Sequence, residues 1–187
     1  MKSVRPVSFA TALQRAGSAE AALALPSQHP DLSPPQAVAL LTKLALVTPK
    51  ASTAEHVAAA AAARSDPRLS ALLTATCASL ERLEGVGLCD LLWALAVLRR
   101  PLQPAEGSFS ELSATLAQLS PDLDVHHAAQ AAWAWSSMRR DGVGENLLLP
   151  PPPSPLVARA ATLPFAVHVN GCAADRLGTL DALLSEV

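Results

Sequence analysis

Two thirteen-residue stretches, forty positions apart, constrain this chain more than any other feature. Leu88 to Arg100 reads LCDLLWALAVLRR, and Ala128 to Arg140 reads AAQAAWAWSSMRR. Trp93 matches Trp133, Ala94 matches Ala134, and Arg99-Arg100 matches Arg139-Arg140. Leu83 and Leu123 match just ahead of each stretch. Earlier, Leu32 to Val47 (LSPPQAVALLTKLALV) fits the same frame at a spacing of fifty-one. There Leu32, Leu40, Leu41, Leu44 and Ala45 fall opposite Leu83, Leu91, Leu92, Leu95 and Ala96. The surplus is an Ala-rich insertion from Ala54 to Arg64. A period of this size marks units that cannot bury both faces alone and must stack on neighbours.

Composition says what the units are made of. The 187 residues fit one domain, with or without tails, and half of them are apolar, which excludes global disorder. There is no isoleucine and no tyrosine, and only Phe9, Phe109, Phe165, Trp93, Trp133 and Trp135 are aromatic. The apolar half is mainly Ala, Leu and Val. Strands favour β-branched and aromatic residues, whereas Ala and Leu are strong helix formers, so the chain is predicted to be all-α. The sixteen prolines then punctuate helices.

Each repeated helix has a partner upstream. Pro67 to Glu81 carries Leu69, Leu72, Leu73, Cys77 and Leu80 at helical spacing, with Asp66 as N-cap and Pro67 at the first helical position. Phe109 to Leu119 is opened by Ser108, with Glu111 three residues on as a capping box. Ser18 to Leu25 opens on Ser18 and stops at Pro26. The expected fold is an α-solenoid of three helix hairpins, about 18–50, 66–101 and 107–142, with the insertion at 51–65. Residues 1–17 form a basic N-terminal arm, and 150–187 a Pro-rich linker and degenerate cap. In that cap Leu156 to Ala161 reads as a first helix, Phe165 to Val169 alternates like a strand, and Asp175 to Ser185 reads as a last helix. Gly85-Val86-Gly87 and Gly142-Val143-Gly144 are expected to be turns.

Stepping 100° per residue from Leu88 puts Leu91, Leu92, Leu95 and Leu98 within about 80° of it, on the face toward the partner helix. Trp93 and Val97 fall on the far side. This helix is apolar nearly all round, so it is expected to be buried between neighbours. Its strong polar break is Asp90, whose equivalents are Ala39 and Gln130; Lys43 lies one turn beyond Ala39. Lys43, Asp90 and Gln130 therefore share the most exposed stripe.

Several chemistries are argued against. The net charge is −2, so a basic nucleic-acid footprint is missing from the chain as a whole, though a local basic edge is allowed. Cys77, Cys89 and Cys172 form no CxxC pair and read as reduced structural thiols. The longest apolar run, Leu88 to Leu98, is broken by Asp90 and is far shorter than the ~20 residues of a membrane span. No GxSxG, P-loop, HExxH or GxGxxG is present, and no enzyme, cofactor or small-molecule substrate is expected. His126 and His127 precede a helix near Asp122 and Asp124 but point in different directions; Asp124 reads as an N-cap and no metal is expected. The first nineteen residues carry Lys2, Arg5 and Arg15, three serines and no acid, the composition of an organelle transit peptide or of an ordinary basic arm.

The LLWALAVL run resembles the signature helix of the octotricopeptide repeat proteins of green algal organelles, relatives of the FAST-kinase-like mitochondrial RNA proteins. That family repeats paired helices every ~40 residues, around a Trp-Ala-Leu-Ala-type core. Its units often open with Pro-Pro-Pro-Glu-Trp, and here Pro151 to Leu156 (PPPSPL) is similar, with Pro155 where the family has Trp. The likeness covers about 18–156 and is best in the second unit. It implies a non-catalytic, RNA-associated organellar protein, since nothing resembles the nuclease-like RAP domain of some relatives. Family RNA binders tend to be long and basic. A chain of about three repeats, slightly acidic, fits better as a fixed part of a larger ribonucleoprotein, such as a mitochondrial ribosome holding rRNA and neighbouring proteins. A HEAT-like protein scaffold without RNA, or a transcript-specific maturation or stability factor, are the alternatives.

Within this reading, Arg99, Arg100, Arg139 and Arg140 close equivalent helices. They either complement the helix dipole or line a basic ridge that grips phosphates. Lys43, Asp90 and Gln130 are either solvated or read bases from a concave face, where Gln pairs with adenine. Trp93 and Trp133 read as core markers. Trp135, the additional tryptophan, is more open to an interaction role.

Overall fold

The computed structural model describes residues 8–48, 54–98, 108–140 and 152–162; of 54–57, 108–111 and 139–140 the backbone alone is described. The described residues are almost all helical and contain no strand. The helices are α1 (Phe9–Arg15), α2 (Ala19–Leu23), α3 (Leu25–Gln28), α4 (Pro34–Val47), α5 (Ala54–Ser65), α6 (Pro67–Cys77), α7 (Gly85–Leu98), α8 (Ser108–Leu119), α9 (Val125–Arg140) and α10 (Ser154–Ala160), with a 3-10 turn at Leu80–Arg82. The chain divides into two compact units, Met1–Arg82 and Leu83–Val187. The division falls between α6 and α7, inside the hairpin expected at 66–101.

In the first unit α2 packs on α4, α4 and α5 pack on α6, and α1 and α2 flank α3. Ser18 caps α2 by accepting from the Ala21 amide at 3.2 Å. Pro26 does not end helical structure here. It sits in the first turn of α3, where its missing N–H would have no intrahelical partner anyway. Ser33 and Gln36 close a capping box on α4, the Ser33 amide donating to Gln36 Oε1 at 2.9 Å. Asp66 caps α6 as read, accepting from the Arg68 amide at 2.8 Å, with Pro67 next in the chain. The Ala-rich insertion is itself a helix, α5. Within the N-terminal arm, Phe9–Arg15 is helix α1, capped by Ser8.

In the second unit α7 packs along α9, and α10 packs on α9 and α8. Leu88, Leu91, Leu92, Leu95 and Leu98 are all at most 2% exposed, as the all-round apolar pattern of α7 demands. Each such leucine adds about 1.5–3 kcal/mol to folding. Gly85 and Gly87 are not a turn; they form the start of α7. A Cβ at Gly85 would lie 3.0 Å from Leu123 Cδ2 and 3.7 Å from Leu119 Cδ1. Glycine therefore lets the end of α8 and the turn after it approach α7. Leu83 and Leu123, the matched residues ahead of each repeated helix, are both buried. Ser108 falls within α8; the capping box with Glu111, the 142–144 glycines and the elements expected beyond 162 lie outside the described residues.

Candidate nucleic-acid interface

The forty-residue register has a direct contact. Gln130 Nε2 donates to Asp90 Oδ1 at 3.1 Å, from α9 to α7, with both side chains half-buried. The two positions share a stripe, as the spacing predicts, but the carboxylate and the amide face each other and not solvent alone. Lys43 is also half-buried. Its Nζ reaches the Gln14 carbonyl at 3.4 Å, at the C-terminal end of α1, where a cation offsets the carbonyl end of the helix. The three stripe residues are thus each engaged within the protein, a correction to their reading as the most exposed positions of their helices.

Arg139 and Arg140 are the last two residues of α9, and Arg99 and Arg100 come directly after Leu98, where α7 ends. Arg99, Arg100 and the side chains of Arg139 and Arg140 lie outside the described residues.

The tryptophans sort differently from the sequence reading. Trp93 is 7% exposed and Trp133 half-buried. Trp135, read as open to interaction, is 0% exposed. The signal was available: at the repeat spacing Trp135 corresponds to Leu95, itself fully buried. Position for position, α9 has Ala128, Ala131 and Ala132 where α7 has Leu88, Leu91 and Leu92. Trp135 is bulkier than Leu95, whereas these alanines are smaller than the leucines they match, and all four are buried.

The histidines belong to the first turn of α9 and do not precede it. Asp124 is the N-cap, as read. Its Oδ1 accepts from the His127 amide at 3.0 Å, and its Oδ2 accepts from His127 Nδ1–H. The backbone N–H of His127 is the main reason the Asp124 carboxyl titrates below its ordinary value, the imidazole contact adding to it. Among the described residues no group of His, Cys, Asp and Glu could hold a metal ion. Cys89 is fully buried, and burial pushes its thiol up to about 12, with Asp90 and Asp124 adding to the shift. Cys77 is half-buried and also raised by burial. Among the described residues no helix is long and apolar enough to cross a membrane.

In the first unit, Arg68 bridges two elements. It donates to Glu20 through Nη1 at 3.1 Å and Nη2 at 2.8 Å, and through Nε to Asp66 Oδ1 at 3.0 Å. The guanidinium holds both carboxyls below their ordinary range. A mostly apolar groove of about 360 Å³ lies beside it, walled by Pro26, Pro30 and Pro34 on one side and by Leu72 and Ala75 of α6 on the other. Sequence reasoning missed both the bridge and the groove: a contact over forty-eight positions outside the repeat frame has no periodic signature.

No protein-family model, no curated protein and no solved structure matches this chain.

Proposed function

We propose that this chain is a non-catalytic, RNA-associated helical-repeat protein of an organelle. In this reading it is a solenoid of three helix hairpins, about 18–50, 66–101 and 107–142, serving as a structural component of a mitochondrial ribosome. The observation that supports it most is the Asp90–Gln130 hydrogen bond, which joins equivalent positions one repeat apart. The Arg99-Arg100 and Arg139-Arg140 pairs recur at the same forty-residue spacing in the sequence. A ridge of paired guanidiniums suits phosphates, which Arg contacts in bidentate fashion. The resemblance of the LLWALAVL helix to octotricopeptide repeats supplies the organelle and the RNA.

The internal engagement of Lys43, Asp90 and Gln130 favours, within this reading, a contact to the RNA backbone over base readout. That same observation favours a second reading, a HEAT-like protein scaffold without RNA, over a transcript-specific factor, which would need free polar groups facing bases. Ultraviolet crosslinking in organelle lysate separates RNA contact from pure scaffolding. Co-sedimentation of the endogenous protein with mitochondrial ribosomal subunits separates a ribosomal component from a free factor. A protein that neither crosslinks to RNA nor sediments with a large particle would overturn the reading.

A further inference from the structure

The groove beside Arg68 lies wholly in the first unit. Its volume of about 360 Å³ falls in the range of clefts that take ligands, ~300–1,000 Å³. Its hydroxyls are already used. Ser27 donates to the Ala24 carbonyl at 2.7 Å, Thr76 to the Leu72 carbonyl at 2.8 Å, and Ser79 to the Ala75 carbonyl at 3.2 Å. What remains between Pro26, Pro30, Pro34 and Leu72 is apolar surface, which suits an apolar occupant. The walls are set in advance. Pro26 and Pro34 stand in the first turns of α3 and α4, where the ring fixes the backbone. Arg68 of α6 reaches Glu20 of α2 at 2.8 Å, tying together the two helices that supply Leu72 and Leu23 to the lining. Preformed walls reduce the ordering that binding must supply.

Charge gives the occupant a second feature. Arg68 is the charged side chain of the lining, but its Nε, Nη1 and Nη2 all donate to Glu20 or Asp66. One guanidinium between two carboxylates leaves a local charge of −1. Asp31, exposed between the lining residues Pro30 and Leu32, adds a second negative charge. The guanidinium has little left to offer an anion, whereas the exposed Glu20 carboxylate keeps lone pairs for further donors. We propose that this groove docks a segment of a partner protein that inserts leucine-sized side chains between the prolines and α6 and carries Lys or Arg beside them. The proposal is independent of RNA contact by Arg99, Arg100, Arg139 and Arg140, and holds for a ribosomal component and a protein scaffold alike.

Fluorescence anisotropy on the full chain tests this with three labelled peptides. One is Lys-Lys-Leu-Leu-Lys-Lys; the second has Glu for each Lys, and the third has Ser for each Leu. The first is expected to bind with a Kd below ~1 mM. The second should bind about fivefold more weakly or worse, and the third roughly tenfold or worse. Ala75→Trp fills the groove from an exposed position on α6 and should weaken the first peptide roughly tenfold or more. Asp31→Lys, outside the Arg68 bridge, should weaken it about two- to fivefold. Methyl NMR of the unmodified chain gives an arm that needs no variant: the first peptide should shift the signals of Leu23 and Leu72. Failure of the first peptide to bind by ~1 mM would overturn the proposal, as would equal binding of the acidic or the serine peptide. So would undiminished binding by an Ala75→Trp chain of wild-type helicity, or peptide shifts that spare both leucines. A single-stranded RNA that shifts the same two leucines would assign the groove to nucleic acid and overturn it too.

Discussion

The Gln130 side-chain amide and the Asp90 carboxylate meet at 3.1 Å across one full repeat of the sequence. A partly buried hydrogen bond to a charged acceptor contributes about 1–2 kcal/mol. Asp90→Ala and Gln130→Ala are each expected to lower stability by about that much. The double variant should cost clearly less than the two together, a coupling of about 1 kcal/mol in a denaturant double-mutant cycle. Additive losses would mean that the contact does not hold α7 to α9. If Gln130 served base readout instead, Gln130→Ala would alter the RNA sequence preference; the expected result is unchanged preference.

Trp135 and Trp133 are two residues apart, yet only Trp135 is sealed in the core. Trp135→Ala is expected to cost about 3–5 kcal/mol, at the upper end for core truncations, because it removes a fully buried indole and leaves a cavity. Trp133→Ala should cost less than half of that. Urea midpoints of the two variants, compared at constant slope, check the order. A larger loss at Trp133 would contradict the assignment of Trp135 to the position of Leu95.

These two residues also show what was legible in the sequence. The helical class, the caps at Ser18, Asp66 and Asp124 and the burial of Leu88, Leu91, Leu92, Leu95 and Leu98 come from periodicity and local chemistry, which act over a few residues. The forty-residue frame was strong enough to equate Trp135 with Leu95; reading the indole by residue type alone hid that. The engagement of Lys43 with the Gln14 carbonyl, and of Arg68 with Glu20, was not legible. Both span long separations outside the repeat, so no local pattern encodes them. Gly85 misled for a physical reason. Glycine usually marks a turn, but here it makes room for Leu123 inside a helix.

Thiol chemistry separates the cysteines by burial. Cys89 is fully buried with its thiol raised to about 12, whereas Cys77 is half-buried. Reaction requires the thiolate and access to it. Under native conditions at pH 8, iodoacetamide should label Cys77 well before Cys89, and Cys89 should react only through global unfolding. Peptide mapping by mass spectrometry reads the order directly. Early labelling of Cys89 would mean that α7 is not packed as described.

Acid should weaken the Arg68 bridge in a defined direction. The folded carboxyls of Glu20 and Asp66 lie below their ordinary values, chiefly through hydrogen bonds to the Arg68 guanidinium. A depressed folded pKa gives stability that is fully present above the unfolded value, about 4, and is lost as pH falls through the folded value. Asp124 adds to the same window through the His127 amide. Arg68→Gln should therefore lower the urea midpoint at pH 6, and the gap to wild type should close toward pH 3. Because the bridge is exposed, the gap is expected to be small and to shrink with added salt. A gap that stays constant from pH 6 to pH 3 would show that Arg68 acts through packing alone.

Salt dependence decides whether the helix-end arginines touch RNA. The chain carries a formal charge of −2, so phosphate contacts must be concentrated locally to attract RNA at all. The Arg99-Arg100 and Arg139-Arg140 pairs are the cations that recur forty positions apart in the sequence. Each cation that neutralises a phosphate steepens the dependence of log K on log salt by about 0.7–0.9. Replacing all four by Gln should flatten that slope by up to about 3 if every one of them contacts phosphate. Helicity should fall only slightly, because a charge at a helix C-terminus is worth about 0.3–1 kcal/mol. Fluorescence anisotropy with a labelled single-stranded RNA over a salt series measures the slope, and circular dichroism checks the helices. If the arginines only terminate helices or contact protein, the slope stays unaltered while stability or a protein partner is lost. The basic ridge would then be abandoned, and the scaffold reading would take its place.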